Sequence, residues 1–341
     1  MKRIFYWDNL KGILICLVVC GHLCERYIDD SYLLEHIWTL IYSFHMPLFI
    51  FINGYFARLS SKPAEMKSLK MLGYYLMMQV IFVIGNTLIL GKEFQISILA
   101  NPSYCCWYLL FLVYAYLVAK FWPRDINKLK QWLIGSLILS LLVGFDTSIG
   151  HIFAASRTFY FMPFFLLGAV AAETKFRQAV VENKYSIWKK VLAFLMVLVI
   201  FAVLWKLVDM EWFNRRIFSG RWSYDALYPD HIGLALAGRI MAYALAVLIG
   251  YIILVLVPRD KTIISLPGRH SLLIYLVHIF VLPMEFHLIS DIQFVAGKEM
   301  NSAVILLILA VSSAIICCII SIFYRFVILN IVNSVKKKKL S

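Results

Sequence analysis

Ten apolar stretches separated by short polar connections run through this chain, near residues 8–25, 37–57, 71–90, 104–120, 132–149, 157–172, 188–206, 232–256, 271–288 and 303–329. Within them apolar residues are continuous rather than alternating, and most approach the roughly 20 residues that a helix needs to cross a bilayer. Barrel staves would be shorter and would alternate. The pattern predicts an all-α integral membrane protein of about ten transmembrane helices, a single transmembrane domain over 1–341. The connections are too short for an appended domain, and no internal repeat, low-complexity stretch or Pro/Gly linker breaks them. With 62% hydrophobic residues, 15% charged residues and a mean hydropathy of +0.82, the composition agrees.

Basic residues orient the array. With the N-terminus in the cytoplasm, the inner side holds Lys2 and Arg3, then Arg58, Lys62, Lys67 and Lys70, then Lys120, Arg124, Lys128 and Lys130. It also holds Lys175, Arg177, Lys184, Lys189, Lys190, Arg259, Lys261, Arg269 and the tail lysines Lys336 to Lys339 within 335–341. The opposite loops hold far fewer, among them Arg26, Lys92, Arg157, Lys206, Arg215, Arg216, Arg221 and Lys298. This division predicts that both termini are cytoplasmic. It also accounts for the net charge of +14 without a nucleic-acid partner. No small-residue cleavage site follows Met1-Lys2-Arg3, so the first run is expected to be a retained helix.

Polar residues inside such spans are costly and mark functional candidates. Ten residues separate Lys11 from His22; eleven steps of about 100° place both on one helix face, about 16 Å apart. Asp8, three residues before Lys11, is expected to pair with it. His45 lies in the outer half of the second span, in the block Phe44-His45-Met46-Pro47-Leu48-Phe49 to Asn53-Gly54-Tyr55-Phe56, where Pro47 and Gly54 loosen the helix. Two histidines at comparable depth on consecutive antiparallel spans suit proton transfer, against the plainer reading of snorkelling and helix capping. Arg239, in the outer half of the eighth span, must meet a carboxylate, carbonyls or a ligand; Arg157 and His278 are weaker candidates. The outer connection 207–231 interleaves Trp212, Phe213, Trp222, Tyr224 and Tyr228 with Arg215, Arg216 and Arg221. Such a mixture suits a sugar bearing anionic groups, and equally an interfacial aromatic belt. Among the seven cysteines, Cys24 and one of Cys105 and Cys106 share the outer side and are candidates for a bridge. No zinc-type spacing or phosphate-binding loop is present, so no metal is expected.

The segments Trp7-Asp8-Asn9-Leu10-Lys11-Gly12 with His22, His45-Met46-Pro47-Leu48-Phe49 to Gly54-Tyr55-Phe56, and Trp107-Tyr108-Leu109 resemble the membrane acyltransferase-3 family. So do Arg157 to Gly168 and Gly268-Arg269-His270-Ser271 to Tyr275 and His278. The closest likeness is to the fucose 4-O-acetylase-like branch, and it runs over almost the whole chain. It implies transfer of an acyl group, usually acetyl, from cytosolic acyl-CoA to a hydroxyl of an extracytoplasmic or lipid-linked glycan, in a bacterial plasma membrane.

The family's catalytic histidine falls on His22 and its basic partner on Lys11, while its cytosolic Arg-x-x-Arg motif falls on Lys67 and Lys70. Lysines offer point charges where arginines would fork onto phosphate. The residues then divide as follows: His22 as general base, His45 orienting it or serving the oxyanion, and Arg58, Lys67 and Lys70 on the phosphates of CoA. Arg157, Arg239, Trp212, Arg215 and Trp222 stand on the acceptor side. The competing reading is a secondary transporter or flippase for a glycolipid or small solute, which lacks support from internal half-to-half similarity.

The charge division yields a direct test. A cysteine placed at Lys184 should escape a membrane-impermeant thiol reagent in intact cells, whereas one placed at Arg221 should react. Labelling at Lys184 would reverse the assigned topology.

Overall fold

The computed structural model describes residues 4–89, 100–150, 152–182, 185–210, 213–296 and 301–340, without the side chains of 88–89, 284–296, 329 and 331–340. Among the described residues there is no strand. The α-helices are α1 (Phe5–Cys24), α2 (Tyr32–Leu59), α3 (Ala64–Ile84), α4 (Trp107–Phe121), α5 (Ile126–Val143) and α6 (Ala155–Ala172). They continue as α7 (Ile187–Val208), α8 (Tyr224–Leu227), α9 (Ile232–Leu256), α10 (Ser265–Arg269), α11 (Ser271–Ala296) and α12 (Ser302–Leu340). Nine helical segments among the described residues are long and apolar enough to cross a membrane, and α11 adds a shorter apolar piece, Ser271–Pro283. The all-α membrane fold expected from the hydropathy pattern is therefore present.

Several spans begin earlier than their apolar cores, α3 and α5 by the most. α3 starts directly after Pro63, whose fixed φ suits a helix entrance, and passes into a π-helical turn at Gly85–Ile89; residue 90, the expected end, lies outside the described residues. α5 starts at Ile126 because the Asp125 carboxylate accepts from the Lys128 amide at 2.9 Å. It ends at Val143, where a side chain on Gly144 would run into the Tyr224 ring. The helix thus lies six residues, nearly two turns, ahead of the expected window 132–149.

The chain forms two compact units, 1–41 with 253–341, and 42–252. In the first, α1 is bound to the segment 254–269 by one side chain above all. Asn9 Nδ2 donates to the Pro258 and Asp260 carbonyls at 2.8 and 2.7 Å. Its Oδ1 accepts from the Thr262 and Ser265 hydroxyls at 2.7 and 2.6 Å. The Tyr6 hydroxyl donates to the Leu254 carbonyl at 2.8 Å. Gly12 and Gly268 let the backbones touch: a Cβ on Gly12 would strike the Ile264 carbonyl, and one on Gly268 the carbonyl of Asp8. The Asp8 carboxylate faces Arg269 Nε at 3.5 Å, a partner that helical spacing did not name.

In the second unit α2 and α6 cross at backbone contact. Gly54 lies against the Phe165 carbonyl and Gly168 against that of Phe51. α3 and α4 run antiparallel: Ser68 Oγ donates to the Val113 carbonyl at 3.0 Å, and the far end of α3 holds the chain ahead of α4 through Gln79. α5 packs on α6 through Leu129, Leu166, Ala169 and Val170. By contrast, α5 and α7 leave most of their apolar residues exposed, as helices facing lipid do.

Gly54→Val should cost about 3 kcal/mol or more, since the obstacle is a backbone carbonyl that cannot rotate away. Gly73, around which a Cβ would meet nothing, should tolerate the same change. Comparison of Tm and monodisperse yield in detergent decides; equal behaviour of the two variants would contradict the close crossing.

Candidate active site

His22 stands near the end of α1 with its side chain 21% exposed, and its Nδ1 lies 3.2 Å from the Glu25 carboxylate. A carboxylate accepts only, so Nδ1 carries the proton and the basic lone pair resides on Nε2. The His278 ring stacks on that of His22, with centroids 5.4 Å apart and planes inclined by 30°. His278 is fully buried; its Nδ1 donates toward the Tyr275 and Ile274 carbonyls at 2.8 and 3.1 Å, and its buried Nε2 meets no hydrogen-bond partner among the described residues. The first unit therefore contains an oriented imidazole backed by a second, neutral one. Glu25 escaped the sequence reading, although a carboxylate three residues after a histidine on a helix is the signal that finds it. Lys11 sits half-buried on the same helix.

The second unit holds the remaining candidates. His45 is 3% exposed in α2 and meets the Tyr42 ring edge-on at 4.8 Å. Lys67 Nζ lies 5.7 Å from the centre of the Tyr116 ring, and Lys70 Nζ 5.6 Å from that of Tyr74, at the basic end of α3. Arg58 differs from its sequence assignment. Its Nε meets the Glu173 carboxylate at 2.6 Å, and its Nη1 and Nη2 donate to the Pro123 and Arg124 carbonyls at 3.0 and 2.9 Å. The guanidinium also lies over Trp122. With its side chain 9% exposed, Arg58 ties α2, the α4–α5 connection and the end of α6 together. Each of its three guanidinium nitrogens thus makes a contact within the fold.

Arg239 is resolved in a similar way. It is 2% exposed, donates from Nη1 to the Ser140 carbonyl at 3.1 Å and from Nη2 to the Trp222 carbonyl at 2.8 Å. Its guanidinium carbon lies 4.6 Å from the centre of the Tyr224 ring and 5.5 Å from that of Tyr160. Tyr224 donates to the Leu141 carbonyl at 2.9 Å, and burial, outweighing the Arg239 charge, raises its pKa above that of an ordinary phenol. The connection expected on the acceptor side is in this way clamped onto α5, α6 and α9. Within it Trp222 lies under the guanidinium groups of Arg216 and Arg221, at 5.4 and 5.3 Å, and Arg215 is half-buried. Trp212 lies outside the described residues. Arg157 stands 4.7 Å from the centre of the Trp107 ring, just after Phe153 and Ala154, which adopt left-handed backbone angles.

This membrane-embedded helical fold with an oriented imidazole is of a kind that fits group transfer. The profile of the family described as acyltransferase domain, acyltransferase-3, matches residues 4–322, and the chain belongs to that family. Two curated relatives are nodulation proteins NolL: one from Sinorhizobium fredii, 48% identical over 59 residues, and one from Mesorhizobium japonicum, 46% identical over 57. Each match covers 16% of this chain and 16% and 15% of the respective relative, so the likeness is local. No solved structure matches.

If Arg239 is a clamp, Arg239→Lys should loosen the 213–231 connection, because one ammonium cannot reach two divergent carbonyls as a guanidinium does. A loss of about 1–3 kcal/mol is expected, seen as faster proteolysis of that connection. Arg216→Ala, which removes only a stacking contact on Trp222, should leave cleavage unchanged; equal cleavage of wild type and Arg239→Lys would contradict the clamp.

Proposed function

We propose that this protein moves an acyl group, acetyl in the simplest case, from cytosolic acyl-CoA to a hydroxyl of a cell-surface or lipid-linked glycan. The fucose 4-O-acetylase-like branch is the nearest description of that activity, and a bacterial plasma membrane its setting. The observation that carries the reading is the His22–Glu25 contact at 3.2 Å. O-acylation requires that a hydroxyl lose its proton as it attacks a thioester, and an imidazole held in one tautomer by a carboxylate serves as that base. Nε2 takes the proton, and Glu25 stabilises the imidazolium that results. The tetrahedral intermediate collapses with loss of the CoA thiolate, which recovers the proton, and His22 returns to its neutral form.

His278 supports the ring from behind. Its Nδ1 proton is fixed on two backbone carbonyls, so it competes for neither the Glu25 carboxylate nor the substrate proton. On the donor side, Lys67 and Lys70 are the groups for the phosphates of CoA, with Arg58 withdrawn into the fold. Their charges act over distance rather than by a fork, so affinity for CoA should depend on salt. Lys11 completes the polar face of α1.

The test is release of free thiol from acetyl-CoA by the purified protein in the presence of a glycan acceptor. His22→Ala should remain folded and bind CoA while transfer falls about 10²–10⁴-fold, the usual range for a lost acid–base group. Glu25→Gln removes the anchor but not the base, so its loss should be smaller, about tenfold or more. Near-normal transfer by a folded His22→Ala protein would remove His22 from the mechanism, and solute flux without thiol release would favour a transporter.

A further inference from the structure

We infer that Asn53, held by Tyr108, receives an amide N–H of the pantetheine arm of the acyl donor, and so sets how far the thioester enters the membrane. The inference rests on the acyl-CoA reading above and adds a binding residue to it. All the groups concerned belong to the unit 42–252.

No residue of α2 from 33 to 58 is exposed, and the ten residues 43–52 are all buried. Asn53 is the next residue and keeps part of its surface, as does Phe56, one turn closer to the basic end on the same face. A carboxamide with accessible surface in an enclosed span is not facing lipid, because hydrocarbon offers it nothing to bond. Its two N–H groups are already committed. Nδ2 lies 2.7 Å from the Phe49 carbonyl and 2.7 Å from the Tyr108 hydroxyl. These contacts fix which end of the amide is nitrogen, and among the described residues no donor is bonded to Oδ1. What remains is a rigid acceptor that asks for an N–H or O–H from a ligand.

The positions above and below it suggest which ligand. Toward the basic end, Tyr116 lies eight residues beyond Tyr108 on α4, about 12 Å by helical rise, with Lys67 Nζ over its ring. In the other direction His45 lies eight residues before Asn53 on α2, again about 12 Å along the axis. The donor of the proposed reaction carries its phosphates at one end, its thioester at the other and two secondary amides between. Its arm is about as long as five extended residues, roughly 17 Å. With phosphates at Lys67, the amides come to the level of Asn53 and the thioester ends about 5 Å beyond it, near Phe49 and short of His45. Phe49, whose ring centroid is 6.5 Å from that of Tyr108, lines that step with apolar surface. Lys67 and Asn53 thus act as two points of a ruler, one for charge and one for the amide.

The decisive comparison is between CoA and its nucleotide half, 3′-phosphoadenosine 5′-diphosphate, which has the phosphates but no arm. Binding of each to the full-length protein in detergent would be measured for wild type, Asn53→Leu and Tyr108→Phe. Asn53→Leu should weaken CoA about tenfold, as loss of one buried hydrogen bond does, and leave the nucleotide half unchanged. Tyr108→Phe keeps the packing and frees the amide to turn, so it should weaken CoA by a smaller factor, again with no effect on the nucleotide half. It also carries the test if Asn53→Leu does not fold. CoA affinity unchanged in a folded Asn53→Leu, or in Tyr108→Phe, would overturn the assignment, as would equal weakening of both ligands. Failure of the wild type to bind either ligand would instead strike the acyl-CoA reading itself.

Discussion

Polar groups within hydrocarbon have no water to fall back on, and much of this structure follows from where each of them finds a partner. Asn9 shows the rule at its fullest: one carboxamide uses two donors and accepts twice, and in doing so ties the first helix to a loop some 250 residues later in the chain. Gln79 does the same on a smaller scale between α3 and the chain before α4. Because apolar packing distinguishes poorly between one helix face and another in lipid, such polar nodes and the glycine contacts beside them fix which helices meet. The motifs around Asp8 to Gly12 and Gly268 to Ser271 are two halves of one joint, and their composition follows from it.

The same requirement acts on Arg58 and Arg239. A guanidinium in a span needs several acceptors at once, and both Arg58 and Arg239 find them in backbone carbonyls, with Glu173 added for Arg58 and tyrosine faces for Arg239. Each thereby welds elements at one end of the second unit. Lysine and histidine need fewer partners, which leaves them freer for work on ligands. His22 needs only Glu25 to be oriented, and Lys67 and Lys70 retain exposed or half-exposed ammonium groups.

Much of the fold was legible in the sequence because hydropathy reports spans directly, and a helical repeat places Lys11 and His22 on one face without further information. Span limits shifted where a local signal outranked the apolar average, as the Asp125 cap does for α5. Partners within a turn are readable from spacing alone, as Glu25, three residues from His22, shows. Partners from far along the chain were not. Nothing near Arg58 announces the carbonyls of Pro123 and Arg124, and nothing near Asp8 announces Arg269. An arginine in a span therefore reads equally well as ligand-seeking or fold-bearing until its acceptors are seen.

The His22–Glu25 contact is formed within a single turn at the end of α1. Nothing has to close over it for it to exist, in contrast with pairs whose members ride on separate helices. Because they stand one helical turn apart, any tilt of α1 would carry carboxylate and imidazole together as one piece. On the proposed reading, the group that sets the tautomer therefore accompanies the base wherever the helix goes.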